Sequence, residues 1–430
     1  MIENLLYIGG ILLMLLGIAI SIGWHELGHL IPAKLFGIRV PQYMIGFGPT
    51  IWSKRRGETE YGVKLIPLGG YISMIGMFMP AKPTAVVKKR NFLTGLIADA
   101  RPRPEDDLPG DESRQFHKLN PLKRIVIMFG GPFMNLVLGF ALMVVVFIGF
   151  GLPGPSSKVL DIIECVPTQV VSASLCSSFD KASPAKLAGL QSGDEVITVN
   201  GASVSSWQDV KPQLKEGVTV DLVVRRDGQE LPLQLTPVLL AKPVLDESGA
   251  VALAAGSFVG VRLENAIIHY SLPQVATMSG DNVISVFKML VNLPVDITNT
   301  IKTALNGGER DANGPVSIVG ITNLAGEVAA NPDGSLQGKL TFGLLMLASL
   351  NFALFAFNMI PLLPLDGGHI LGAIYESIKR GLYRLFKKPD PGPVDAALLV
   401  PLTWLVFLVL FALSAVLIFA DLVNPISLNS

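Results

Sequence analysis

The chain has 430 residues, half of them hydrophobic and only 16% charged, with 34 basic residues balancing 34 acidic ones. Zero net charge excludes a broad polycation that would coat nucleic acid, and low charge with 43 glycines excludes disorder and an ordinary soluble enzyme. What fits is a membrane protein with a soluble part, and two cysteines are too few for a disulfide scaffold or a Cys-rich zinc site.

Crossing a hydrocarbon core takes about 20 helical residues. Four stretches of that length carry no charge: 4–24, 125–152, 340–365 and 396–420. The first is preceded by Glu3 and by no Lys or Arg, so the basic leader of a signal peptide is missing and a retained helix is expected over 4–30. That helix ends in His25-Glu26-Leu27-Gly28-His29. On a helix, histidines at i and i+4 share a face within reach of one metal ion, and a glutamate beside the first can take a proton from a metal-bound water. Two imidazoles and a carboxylate at the edge of an apolar span are costly unless they bind something, which weighs against a pair of merely satisfied helix histidines.

Residues 31–124 form a loop. Alternating residues from Glu60 run into Pro67 and the Gly69-Gly70 pair, which predicts a β-hairpin over 60–77, with Gly46-Phe47-Gly48-Pro49 as a turn feeding it. Residues 81–115, rich in Pro and in charge of both signs, read as a flexible insertion without chemistry. The second span, 125–152, contains Gly131-Pro132 followed by Asn135, a pattern suited to close helix packing.

Residues 153–242 change character, with short strand-like runs such as 195–200 and 218–224 and turn signals at Asn200-Gly201 and Asp227-Gly228. The run from Ser183 to Asp194, followed by Val196-Ile197 and Asn200-Gly201, resembles a bacterial PDZ domain. Such a module either captures an extended chain by strand addition or acts as bulk that filters access to the membrane. Cys165 and Cys176 lie here, ten residues apart, and an oxidising exterior would permit a disulfide between them; two unpaired thiols are the alternative. Residues 243–339 carry amphipathic helical patches, read either as a helix on the membrane surface or as a cap on the preceding module. The third span, taken as 340–371, closes with Asn358, Pro361, Pro364 and Leu365-Asp366-Gly367-Gly368-His369; a loop of 372–395 leads to the fourth span, 396–420.

Lys and Arg fix the expected orientation. Sixteen of the 34 lie in 31–124, five in 372–397, and the other 13 are spread over 153–339. The two short basic loops are therefore expected in the cytoplasm, with both termini and 153–339 outside. Zinc needs a third protein ligand and an open position. Helices one and three both run outside to inside by parity, so the histidines and Asp366 reach the same side at similar depth. That makes Asp366 the expected third ligand, ahead of His369. A His-His-Asp set alone would also suit iron.

Taken together, His25-Glu26-x-x-His29, Gly131-Pro132-x-x-Asn135, the PDZ-like insertion and the run from Asn358 to Asp366-Gly367 resemble the site-2 protease family of zinc intramembrane metalloproteases, of the bacterial RseP type and most closely its single-PDZ actinobacterial members. The fold this implies is a polytopic α-helical membrane protein with four transmembrane helices, a membrane-associated β-hairpin and one extracytoplasmic PDZ domain. The resemblance implies Zn2+ on His25, His29 and Asp366, and Glu26 as general base. It implies Asn358 at the substrate backbone or oxyanion, with a helix–helix hydrogen bond as the competing role. It also implies Gly69, Gly70 and Tyr71 on a strand that pairs with an unwound substrate, against a purely structural sheet. The expected partners are the lipid bilayer, single-pass membrane substrates such as anti-sigma factors, and a site-1 protease that cuts them first. Remnant signal peptides are further candidate substrates, and the expected location is the plasma membrane. Rival functions are a membrane zinc peptidase acting on soluble chains and a non-proteolytic PDZ scaffold.

Overall fold

In the computed structural model, residues 2–79, 92–101, 113–166, 180–245, 251–306, 310 and 314–425 are described. The chain forms two compact units, one of residues 1–146 with 271–430 and one of residues 147–270. Among the described residues, four helices are long and apolar enough to cross a membrane: Ile2–Leu35, Pro121–Phe150, Leu336–Asn358 and Ala396–Val423. The protein is thus a multi-pass membrane protein with an added β domain.

Helix α1 (Ile2–Leu35) runs six residues past His29 rather than ending at the histidines, and stops where Gly37 takes a left-handed conformation and Ile38 N–H donates to the Ala33 carbonyl. Strands β1 (Gln42–Arg56) and β2 (Thr59–Ser73) are each bent and fold back on one another, a larger sheet than the expected hairpin. Residues 42–45 lie between two neighbours, 60–63 on one side and 70–73 on the other, while 50–56 returns against 59–64. Residues 70–73 therefore form an edge, with strand pairing on one side only among the described residues. Of the expected flexible insertion, 92–99 is helix α2 (Phe92–Asp99), and most of the remainder lies outside the described residues.

Helix α3 (Pro121–Val144) starts at Asn120, whose side chain accepts from Leu122 N–H, with Pro121 preset for the first turn; it continues through one wide turn, Val145–Phe150. The β domain begins with β3 (Leu152–Ile162), α4 (Pro184–Leu187), β4 (Glu195–Val199), β5 (Ala202–Ser203) and α5 (Trp207–Val210). It continues with β6 (Val220–Arg226), β7 (Gln229–Leu235), β8 (Val238–Leu245), β9 (Val251–Phe258) and β10 (Val261–Ile268). Its main sheet has the order β10-β3-β4-β6-β7, with β5 on β4, around a core that includes Ala185, Val196, Val199, Val220 and Val224. The sheet borrows β10, so the domain runs to 270 and not to 242. β8 and β9 form a separate hairpin.

The 243–339 region also holds a single 35-residue helix, α6 (Leu272–Asn306), and the short α7 (Ile318–Ala330), capped by Ser317. Helix α8 (Leu336–Asn358) starts at Ser335, whose hydroxyl accepts from Gly338 N–H. It stops at Asn358, before the prolines, instead of running on to 371. Asp366 opens a separate helix, α9 (Asp366–Leu385), and α10 (Val400–Val423) closes the fold.

Candidate metal centre

Three elements meet at the histidines. Helices α1 and α3 touch backbone to backbone: a Cβ on Gly28 would fall on the Gly130 carbonyl, and one on Gly131 would fall on the His29 ring. Small residues at that crossing let α3 pass close enough to take hold of both imidazoles. The Nδ1 of His29 bonds the Ile127 carbonyl at 2.8 Å, which makes Nδ1 the protonated nitrogen and leaves the Nε2 lone pair free. The Nδ1 of His25 lies 3.0 Å from the fully buried side-chain amide of Asn135. The Oδ1 of that amide is buried without a partner, and a half-turn of the amide presents it to an Nδ1–H, freeing His25 Nε2 as well.

The third element is α9. Its first residue, Asp366, sits with Oδ2 at 3.3 Å from His25 Nε2 and 3.3 Å from His29 Nε2, and the two Nε2 atoms are 3.1 Å apart. Gly367 permits this placement, because a Cβ there would collide with the Ile360 carbonyl of the connecting loop. Further along α9, the wholly buried Glu376 pairs with Arg124 of α3 at 2.5 Å and accepts from Val394 N–H at 3.0 Å. α9 is thereby anchored to the helix that holds the histidines.

The donor set fits a divalent cation. Each of the three offers one ligand atom, all within 4.8 Å of one another, and Asp366 Oδ2 is buried with no hydrogen-bond partner. Two imidazole nitrogens and a carboxylate oxygen pointed at one spot, with no hydrogen-bond partner outside the cluster for any of them among the described residues, is the arrangement of a three-ligand site with an open position. His369 is not part of the cluster.

Glu26 is 8% exposed and has His29, His25 and Asp366 as its electrostatic neighbours. The sheet edge comes to it. A Cβ on Gly70 would lie 2.9 Å from Glu26 Cγ, and the carboxylate hydrogen-bonds the backbone of Ile72. Gly69 and Tyr71, the other two residues expected on this strand, both meet Phe47: the Gly69 backbone abuts its ring, and Tyr71 stacks on it with centroids 6.5 Å apart. Asn358 is the last residue of α8, and its amide donates to the Leu354 carbonyl one turn back at 3.0 Å. Asn351, about two turns earlier in α8, does join two helices, donating to Ser21 Oγ of α1 at 2.9 Å. Cys165 is disulfide-bonded, and Cys176 lies outside the described residues.

Sequence reasoning assigned Asn135 to helix packing and overlooked its contact with His25. The available signal was spacing: Asn135 lies one helical turn from Gly131, on the face that carries the crossing. Arg124 and Glu376 were also overlooked; a charge in the first turn of the otherwise apolar α3 was the signal for Arg124, while Glu376, in the middle of a helix with several charges, carried no local signal.

The sequence matches peptidase family M50 over residues 13–388. It is 32% identical over 438 residues to zinc metalloprotease Rip1 of Mycobacterium tuberculosis (strain H37Rv), covering 99% of this chain and 100% of that protein. It is 33% identical to the Rip1 of Mycolicibacterium smegmatis, covering 97% and 98% of the two chains, and 27% identical to metalloprotease MmpA of Caulobacter vibrioides, covering 86% of each. The chain belongs to peptidase family M50, the site-2 protease family, and is a zinc metalloprotease.

Proposed function

We propose that this member of family M50 is an intramembrane endopeptidase that holds Zn2+ on His25, His29 and Asp366 and uses Glu26 as general base. The observation that carries the reading is the meeting, among membrane-spanning helices, of three converging ligand atoms, a buried glutamate and an open strand edge. A helical peptide bond is shielded by its own hydrogen bonds, so a transmembrane substrate must be unwound before it is cut. Residues 70–73 offer an extended segment an edge that no other strand covers among the described residues, with Gly69, Gly70 and Tyr71 shaping the place where it lies and Gly70 bringing it next to Glu26.

Bound zinc supplies Lewis acidity towards a carbonyl and towards water. Glu26 takes the proton from the attacking water and passes it to the leaving amine. The Ile72 backbone holds the Glu26 carboxylate in place. Ile127 and Asn135 hold the imidazoles in the tautomer that presents Nε2. Asn358 closes α8 eight residues before Asp366, which the connecting loop delivers. Released from Leu354, its amide would be free to bond the substrate backbone.

The reading extends to the setting. The concentration of Lys and Arg in 31–124 and 372–397 supports a cytoplasmic position for those loops, with the termini and β domain extracytoplasmic in the plasma membrane. The β domain, with its short α4 before Gly189-Leu190 and Gly193-Asp194, fits a PDZ module that admits chains already shortened by a site-1 protease. The substrates would be single-pass proteins of the anti-sigma-factor kind, or remnant signal peptides. A disulfide from Cys165 to Cys176 suits that location.

The test is cleavage of a single-pass substrate by purified protein in detergent, wild type beside Glu26→Gln, with bound zinc measured in both. The Gln variant is expected to keep zinc and to lose cleavage by at least the 10²–10⁴-fold (order of magnitude) typical of a removed general base. Equal cleavage by both proteins, or cuts mapping outside the apolar segment, would overturn the reading.

A further inference from the structure

Helix α9 has a face that nothing among the described residues covers. Leu371, Tyr375, Ile378, Leu382, Leu385 and Phe386 are each between 50% and 73% exposed and recur at three- and four-residue intervals along one side. The opposite side is packed, with Ile370 and Ala373 buried and Glu376 fully enclosed beside Arg124. α9 is no membrane span: five of its 20 residues are charged, and it is not among the four spanning helices. A helix with a continuous apolar face, a strongly charged remainder and modest total hydrophobicity is suited to lying in the plane of a membrane interface.

Charge says which interface. Around and just beyond the apolar face lie Lys379, Arg384, Lys387 and Lys388, none with a carboxylate partner among the described residues. The nearby acids are occupied: Glu376 by Arg124 and Arg380, Asp390 by Arg380, and Asp395 by Arg101. The uncompensated charge is therefore positive. Lys379 and Lys388 both lie over the Tyr383 ring, 6.0 Å from its centroid, with stems long enough to reach headgroups while the chain lies deeper. α9 also begins only eight residues after α8, a membrane span, comes to its end.

We propose that α9 lies in the membrane interface, its apolar face among acyl chains and Lys379, Arg384, Lys387 and Lys388 on anionic phospholipid headgroups. Because Asp366 is the first residue of this helix, the depth at which α9 rides sets the position of the third metal ligand. Anionic lipid then holds the His-His-Asp cluster closed, a consequence that rests on the metal-site reading above. The lipid docking itself does not.

The experiment uses the full chain in vesicles of phosphatidylcholine with or without phosphatidylglycerol. An environment-sensitive fluorophore is attached at Ile378→Cys or at Lys387→Cys, with unsubstituted protein as the labelling blank. A label at 378 is expected to be quenched by spin-labelled acyl chains and protected from aqueous iodide, with the reverse at 387. Phosphatidylglycerol should deepen the 378 label, and Lys379→Glu/Lys387→Glu/Lys388→Glu should abolish that response. Each cation near an anionic surface biases the position roughly fivefold at ordinary ionic strength. Zinc release to a chelator should slow several-fold in the anionic vesicles for wild type and not for the triple variant. Iodide reaching 378 as readily as 387, or a 378 label indifferent to phosphatidylglycerol, overturns the docking. A 378–378 disulfide dimer shielded in both lipids does so too, by assigning the face to a second copy of the chain. Lipid-dependent depth with unchanged zinc release overturns only the coupling to Asp366.

Discussion

Two aspartates, one in each compact unit, show how hydrogen-bond satisfaction separates structure from chemistry. In the β domain Asp194 is wholly enclosed and every oxygen is used: Arg226 donates from Nε to Oδ1 at 2.7 Å and from Nη2 to Oδ2 at 2.7 Å, and Gln191 N–H donates to Oδ2 at 2.8 Å. That carboxylate has nothing left to offer and serves to close a turn. In the membrane unit Asp366 faces two imidazole nitrogens at 3.3 Å, and its Oδ2 accepts no hydrogen bond of good geometry. A carboxylate oxygen removed from water is costly unless compensated, so Oδ2, enclosed and left open next to two further donor atoms, marks the place where a cation completes the set.

Exchanging the two acids for neutral residues gives the largest separation of outcomes. Asp366→Asn is expected to lose stoichiometric zinc and all measurable cleavage while the β domain unfolds as in wild type. Asp194→Ala is expected to keep zinc and to destabilise the β domain by about 3 kcal/mol, the low end for a broken buried pair because Arg226 keeps some access to water. Metal analysis beside domain unfolding in denaturant reads both. Loss of zinc in the Asp194 variant would erase the distinction.

A smaller effect is expected one layer out from the ligands. Asn135→Ala removes the amide that orients His25 and leaves all three ligand atoms in place. Zinc affinity should fall by about 10–100-fold, as for other outer partners of ligating histidines, with the helices still assembled. Competition with a chelator of known affinity measures it. An unchanged affinity would return Asn135 to the role of a packing residue.

These contrasts also show what the sequence makes legible. The histidine pair can be read directly, because helical spacing puts residues i and i+4 on one face, and Glu26 is read from its place beside the first histidine. Asp366 can be read only through topology, and its delivery differs: the chain leaves α8 at Asn358, crosses a proline-containing loop and begins a new helix at Asp366. Local pattern cannot announce pairings between distant segments. Residues 42–45 hold both 60–63 and 70–73, and β10 returns about a hundred residues later to join β3, so the sheet beside Glu26 and the limit of the β domain both escape a reading in short windows. Asn135 shows the same limit for side chains, since its partner lies 110 residues away.

The comparison can be sharpened by a third acid that is neither enclosed nor open. Glu58, at the turn between β1 and β2, accepts from both terminal nitrogens of Arg114 at 2.8 Å, while Arg114 Nε donates to the Gly37 carbonyl at 3.0 Å. The Arg114 hydrogen bonds hold the Glu58 carboxyl below the usual carboxylate range. A depressed folded-state value means the pair stabilises above the ordinary carboxylate range and is lost as pH falls through the folded value. Both side chains are about a third exposed, so water and salt screen most of the gain. Hydrogen exchange in residues 50–64 should therefore be slightly slower in wild type than in Glu58→Gln near neutral pH. The difference should shrink with added salt and vanish in acid. A difference as large as that from Asp194→Ala would mean that burial is not what separates these carboxylates. A difference that persists in acid would mean that Glu58 acts through something other than its charge.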